Sequence, residues 1–312
     1  MKRFLWGVNG HNHYHEAYPE HLLEQQIELA ADLGVKMYRI NYNPDKSNMF
    51  NYMDRVTELC KSKDIEIMLV MDRFDGSEAE IRQRFRQVAS HYKGKIDYIQ
   101  VFNEIDNYCI KPSPDCGDGF SLVDNFDMKK CECALHKISS AIEGLKEGNP
   151  LCKAVINISY MHFGFLDYLK QHDVHWDIVG LDWYSDMGRI EKALDAALNK
   201  YDNDIIVCES NIWPDESGNY DTDDSYLPGI MNTVGNYDSR IKGYIIYQLL
   251  DETNYTIDGF ERESHFGLVK TKADGTILDK KPAYRAVREF LKSKKIIQSR
   301  LLNVFERQGQ HG

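Results

Sequence analysis

The chain has 312 residues, 42% of them hydrophobic, with 49 Asp and Glu against 38 Lys and Arg for a formal charge of -11 at pH 7. That length and apolar content suffice for one large α/β core, and residues 1–312 read as a single domain. The acidic balance gives no electrostatic reason to bind nucleic acid or an anionic membrane, and no apolar run in the sequence is long enough to span a bilayer. The opening MKRFLWGVNGHNHYHE meets Gly, Asn and His before any long apolar region forms. The chain as given is therefore expected to be cytoplasmic, with secretion after removal of a signal as the alternative. Seven cysteines, Cys60, Cys109, Cys116, Cys131, Cys133, Cys152 and Cys208, are odd in number and fit no common zinc spacing. They read as reduced thiols, and the group from Cys109 to Cys133 is where a bridge or a metal would be sought. Nothing in the sequence fixes the oligomeric state.

Short apolar segments rich in β-formers alternate with longer segments of helical period along the whole chain, the pattern of parallel βα units. In chain order the predicted strands are FLWGVN from Phe4, KMYRIN from Lys36, IEIMLVM from Ile65, IDYIQVFN from Ile96, KAVINIS from Lys153, WDIVGLDWY from Trp176, DIIVCES from Asp204 and IKGYIIYQ from Ile241. Between them run apolar stripes at helical spacing: Leu23, Ile27, Ala30 and Leu33; Ile81, Phe85, Val88 and Tyr92; Leu135, Ile138, Ile142 and Leu145. Gly34 and Gly94 suit helix C-caps, and Pro282 suits the start of the last helix. Eight strand starts spaced roughly 34 residues apart predict a closed (β/α)8 TIM barrel. The first strand lacks the Gly-rich dinucleotide fingerprint of the open-sheet alternative. Two excursions, Asp106–Phe126 and Asp251–Lys281, follow strands four and eight, on the face where loops of such barrels build active sites.

Two glutamates end strands on that face: Glu104 in VFNEIDN after strand four and Glu209 in IIVCESNIWP after strand seven. Strands four and seven stand across the barrel mouth, so the two carboxylates can converge despite their separation in sequence. Cleaving a glycosidic bond requires such a pair, one carboxylic acid to protonate the leaving oxygen and one carboxylate to attack or to activate water.

With Asn103-Glu104 after strand four and Glu209 after strand seven, the sequence resembles the clan A glycoside hydrolases, (β/α)8 retaining enzymes; the tail HFGLV with KPAYRAVREF is similar too. The resemblance implies Glu104 as acid/base, Glu209 as nucleophile, and Asn103 on the sugar 2-hydroxyl. It further implies that Arg39 and Tyr184 hydrogen-bond the nucleophile and keep it ionised. The substrate implied is a β-linked oligo- or polysaccharide, with no cofactor and no metal. The sequence departs from the commonest clan pattern at two places. Ile105 stands where Pro often follows the acid/base, and YIIYQLLDE lacks the Trp that floors the cleavage subsite, a place for Tyr247 or Gln248.

His11 and His13 are expected to line the sugar site. Trp213, Tyr14, Tyr42, Tyr160, Tyr255 and Phe260 fall in or near top loops where aromatic faces can stack on sugars. Alternation puts only one of Trp183 and Tyr184 toward the lumen. Two other classes fit parts of this sequence. One is a barrel that binds carbohydrate without cleaving it. The other is a metal-dependent, amidohydrolase-like enzyme using His11 and His13, for which Glu104 and an offset His162 only partly complete the ligand set.

Overall fold

The computed structural model describes residues 4–72, 75–185, 187–212, 224–253 and 264–309. Eight parallel strands, β1 (Leu5–Gly10), β2 (Met37–Tyr42), β3 (Glu66–Met71), β4 (Tyr98–Val101), β5 (Lys153–Ser159), β6 (Ile178–Trp183), β7 (Asp204–Ser210) and β8 (Ile241–Ile246), close into a barrel in chain order. The ring shuts where β8 pairs with β1, from Leu5↔Gly243 to Val8↔Ile246. Parallel strands covered on both faces need apolar residues on both, and every residue of β1 and β6 is buried.

Alternation along the strands layers the lumen. Leu5, Met37, Met68, Val155, Ile178, Ile206 and Ile245 form an apolar plug. Two or four residues further along their strands come Arg39, Asn157, Asn9 and Asp182, all buried, joined by Gln100 from β4. The site thus rests on an apolar floor.

The outer layer consists of α1 (Leu23–Leu33), α2 (Met49–Ser62), α3 (Glu78–His91), α6 (Met128–Gly148), α7 (Phe163–Gln171), α8 (Met187–Lys200), α9 (Tyr226–Gly235) and α10 (Pro282–Gly309). All three predicted stripes are buried. Gly34 caps α1 at φ 96, its N–H reaching Ala30 O at 3.2 Å, and Pro282 opens α10. A capping box of Ser77 and Glu80 starts α3. Helices α3 and α6 touch backbone to side face, because a Cβ on Gly144 would lie 2.1 Å from Arg82 O and one on Gly148 2.4 Å from Arg86 O.

The structure differs from the sequence expectation at strand ends and in the two excursions. Strand β4 stops at Val101, since Phe102 and Glu104 take left-handed backbone, φ 62 and φ 42, that no strand accommodates. The Asp106–Phe126 excursion contains α4 (Ile105–Cys109) and α5 (Leu122–Asn125) and is closed at its base by an Ile110↔Phe126 bridge. The Asp251–Lys281 excursion carries an antiparallel pair, β9 (Val269–Thr271) and β10 (Ile277–Lys280), and a buried Lys281–Asp251 ion pair at 2.8 Å ties its ends together. All seven cysteines are free thiols; those of Cys109 and Cys131 meet between α4 and α6. No helix among the described residues is long and apolar enough to cross a membrane.

Candidate active site

The C-terminal ends of the strands open into a cavity of about 520 Å³, lined by Glu104 and Glu209 together with Asn9, His11, His15, Arg39, Asp72, Asn103, Ser159, Tyr184 and Tyr247. Glu209 owes its inward direction to a β-bulge. The β6–β7 register runs Leu181↔Val207 and then Asp182↔Glu209, skipping Cys208. The extra residue turns Glu209 toward the lumen that already holds Cys208.

Glu209 is clasped from two sides. Arg39 Nη1 lies 2.6 Å from its Oε1, and the Tyr184 hydroxyl donates to its Oε2 at 2.6 Å. Burial, with Glu209's charge adding, raises Tyr184 well above the usual phenol range, so it remains a donor. Arg39 is itself fixed: Nη1 also reaches Asn9 Oδ1 at 2.6 Å, Nε reaches Gln100 Oε1 at 3.0 Å, and Nη2 reaches Asn103 Oδ1 at 2.7 Å. A planar five-donor fork meets all four partners, which an ammonium cannot do.

Glu104 stands just past the end of β4 as N-cap of α4, in left-handed conformation. With Phe102 also left-handed, the turn costs about 1 kcal/mol or more per non-glycine residue, and strain of this kind concentrates at functional sites. The Ser159 hydroxyl donates to Glu104 Oε1, and Asn107 Nδ2 donates to Oε2 at 3.2 Å. Burial pushes the Glu104 carboxyl up to about 8, and the negative charges of Glu209 and Asp106 add to the shift. The cavity thus sets a Glu104 carboxyl that holds its proton more tightly than usual against a Glu209 carboxyl paired with an arginine, a contrast suited to acid/base and nucleophilic chemistry.

Of the remaining expected contacts, Asn103 and His11 line the cavity, and burial pushes His11 down to about 4, so its imidazole is neutral near pH 7. His13 does not join it. Its ring packs 4.3 Å from both Tyr14 and Tyr52, and His15 takes the place in the cavity wall. The proposed His11–His13 pair is therefore not assembled: the loop after β1 turns back at Asn12, whose backbone and side chain bind Asn41, and this brings His11 and His15 together at 4.2 Å between ring centroids. Gln248 is likewise corrected. It is fully buried behind the wall, accepting from the Tyr18 hydroxyl at 3.3 Å and donating to Glu252 at 3.1 Å, while its neighbour Tyr247 faces the cavity.

Trp183 is buried and stacks on Tyr160, Tyr42 is buried, and Tyr14 lies exposed away from the cavity lining. Trp213, Tyr255 and Phe260 lie outside the described residues. His162 donates to or accepts from Asp106 at 2.6 Å and does not line the cavity.

Sequence reasoning missed Asp72, His15 and Glu252. Asp72, just beyond β3, accepts from Asn41 Nδ2 at 3.1 Å, and burial pushes it up to about 6. Its signal was available, a carboxylate directly after an apolar strand. Among the described residues, His11, His15 and Glu252 offer donor atoms within 4.8 Å of one another, a His2Glu set capable of holding a divalent ion. As it stands, His15 Nδ1 contacts Glu252 Oε1 at 2.7 Å and Gln248 holds the other oxygen, so the carboxylate is satisfied by protein groups alone.

A closed parallel barrel with an acid and an arginine-paired carboxylate beyond strands four and seven has the layout of a glycoside hydrolase. The fold is shared with a family 1 β-glucosidase from Thermotoga maritima (14% identity, 92% of this chain and 97% of that one, TM-score 0.67). It is shared also with a β-glucosidase from Pyrococcus furiosus (13%, 94% and 96%, TM-score 0.74). An exo-β-1,4-mannosidase from Opitutaceae bacterium strain TAV5 matches at 14% identity over 94% of this chain and 61% of that one, with a TM-score of 0.68. No curated protein matches the sequence. The family model "Glycosyl hydrolase family 53" matches residues 75–255, a span that includes both glutamates, and the chain belongs to that family. It is a retaining hydrolase of O-glycosidic bonds.

Proposed function

We propose that residues 1–312 form one catalytic domain that cleaves β-glycosidic bonds of an oligo- or polysaccharide, with Glu209 as nucleophile and Glu104 as acid/base. The observation that carries this assignment is the contrast between two carboxyls of one cavity: Glu209 bound by Arg39 and Tyr184, Glu104 buried and pushed up to about 8. In the first step a Glu209 oxygen forms a bond to the anomeric carbon, the bond from that carbon to the leaving oxygen breaks, and the Glu104 proton passes to that oxygen. In the second, Glu104, now a carboxylate, takes a proton from water. The water oxygen attacks the anomeric carbon and Glu209 departs. Both steps run on side chains of this chain.

Asn103 supports the same reading. Arg39, Gln100 and Asn157 all donate to its Oδ1, at 2.7, 3.0 and 3.0 Å, which fixes the amide and leaves its NH2 as the group available to a sugar hydroxyl. The neighbours that share the fold are named for acting on β-glucosides and β-mannosides, and the substrate class follows theirs.

The test is a panel of aryl β-glycosides, followed by the 2-deoxy-2-fluoro analogue of the best substrate, which slows release of the intermediate. We expect a stable adduct whose mass maps to the peptide containing Glu209. An adduct on Glu104 or Asp182 would overturn the assignment of roles.

A further inference from the structure

We infer that Asn157 is a positioning residue that couples the backbone of Glu104 to the orientation of Asn103, and so governs how strongly the site senses the substrate's 2-hydroxyl. The inference rests on the proposed roles of Glu104 and Asn103.

Asn157 faces the lumen from the middle of β5, is 1% exposed, and lies beneath the site rather than in its wall. Its three polar contacts run to three different parts of the machinery. Its Oδ1 accepts from the backbone N–H of Glu104 at 3.1 Å, and its Nδ2 donates to Asn103 Oδ1 at 3.0 Å and to Asp182 Oδ2 at 2.6 Å. Both amide hydrogens are thereby used. Turning the amide over would set its NH2 against the Glu104 N–H and its oxygen against the amide oxygen of Asn103, so the orientation has one solution.

The need for this bridge is written in the backbone. Ladder pairing between β4 and β5 ends at Gln100↔Val155, and the chain then passes through left-handed Phe102 and Glu104. Beyond that point no strand neighbour is in register to take the Glu104 N–H, and the Asn157 side chain supplies the acceptor. The same side chain adds a donor to the oxygen of Asn103 that Arg39 and Gln100 also hold.

Two features house it. Across the β5–β6 register Asn157 faces Gly180, where a Cβ would lie 2.7 Å from the Asn157 Cβ. Asp182, two residues further along β6, anchors the amide from behind. Burial, with Glu209 and Glu104 adding, holds Asp182 well above the usual carboxylate range.

The experiment measures kcat/KM for the aryl β-glycoside that the wild-type enzyme turns over best and for its 2-deoxy counterpart. It compares their ratio in wild type, Asn103→Ala, Asn157→Ala and the double variant. We expect Asn103→Ala to lower the preference for the 2-hydroxy substrate at least tenfold, and Asn157→Ala to lower it to a similar extent, through kcat more than KM. The double variant should discriminate no worse than Asn103→Ala alone, since both act through one amide. If Asn103→Ala keeps the wild-type ratio, the assignment of Asn103 fails and the inference falls with it. If Asn103→Ala loses the ratio while Asn157→Ala keeps it and slows both substrates equally, Asn157 is only structural and the coupling is refuted, with the Asn103 assignment intact. Should Asn157→Ala not fold, Gly180→Ala displaces Asn157 without removing a polar group. A folded Gly180→Ala enzyme with reduced discrimination supports the inference, and one with the wild-type ratio overturns it.

Discussion

Arg39 Nη1 lies 2.6 Å from Glu209 Oε1, and the two meet as a buried ion pair that joins β2 to β7 through the lumen of the barrel. Glu104 and Asp182, also in or beneath the cavity, are both raised by burial and by the charge of Glu209, so Arg39 is the cation against which three carboxyl groups are arranged. The electrostatics of the cavity and of the barrel core therefore converge on one guanidinium.

Arg39→Lys is expected to behave as a drastic change. An ammonium can neutralise Glu209 but cannot also hold Asn9, Gln100 and Asn103, so kcat/KM should fall roughly 10²-fold or more. Arg39→Ala leaves Glu209 buried without its counter-charge and should destabilise the fold by about 3–5 kcal/mol in urea unfolding. An Arg39→Lys enzyme within threefold of wild type would show that the fork is dispensable.

Glu104 is expected to set the alkaline limb of the pH profile. Its carboxyl is pushed up to about 8, so kcat/KM should decline above that pH as the acid loses its proton. The stability effect has a definite sign. A carboxyl whose folded pKa exceeds its unfolded one binds more protons when folded, so its contribution is intact at low pH and is lost as pH rises toward 8. Glu104→Gln removes that burden. Its melting temperature should exceed wild type's at pH 8, by an amount worth on the order of 4 kcal/mol, and the difference should shrink toward pH 5. A difference independent of pH would detach the shift from Glu104.

Dialysis against a chelator should leave kcat/KM on an aryl β-glycoside unchanged, because both proposed steps run on carboxyl groups. Loss of activity on chelation, restored by stoichiometric zinc in wild type but not in His15→Ala or Glu252→Gln, would contradict that account and make His11, His15 and Glu252 a working metal centre.

Much of this was legible in the residues. The eight strands stood out because parallel strands covered on both faces are apolar runs, and the two glutamates because carboxylates at such strand ends have no core role. Gln100 and Asn157 were equally visible, as amides inside IDYIQVFN and KAVINIS, but only the inward parity of the strands gives a buried amide its meaning. The bulge at Cys208 was not legible, since it changes which face Glu209 takes without any Gly or Pro to mark it. His13 and His15 could not be told apart for a related reason: the path of the loop after β1 is set by Asn12 binding Asn41 across 29 residues, a long-range contact that local periodicity does not carry. The three-residue β9 is too short for alternation to register.

The central claim, that Glu209 attacks and Glu104 serves as acid and base, is tested most directly by azide rescue followed by proton NMR of the anomeric signal. With an aryl β-glycoside bearing a good leaving group, Glu104→Ala should still form the Glu209 intermediate, which then waits for a water that has no base. Azide needs no deprotonation and should attack that intermediate, giving a β-glycosyl azide of retained configuration. Glu209→Ala should be rescued only by azide occupying the nucleophile's place, giving the inverted α-glycosyl azide. Inverted azide from Glu104→Ala together with retained azide from Glu209→Ala would show that the roles are exchanged and would contradict the account.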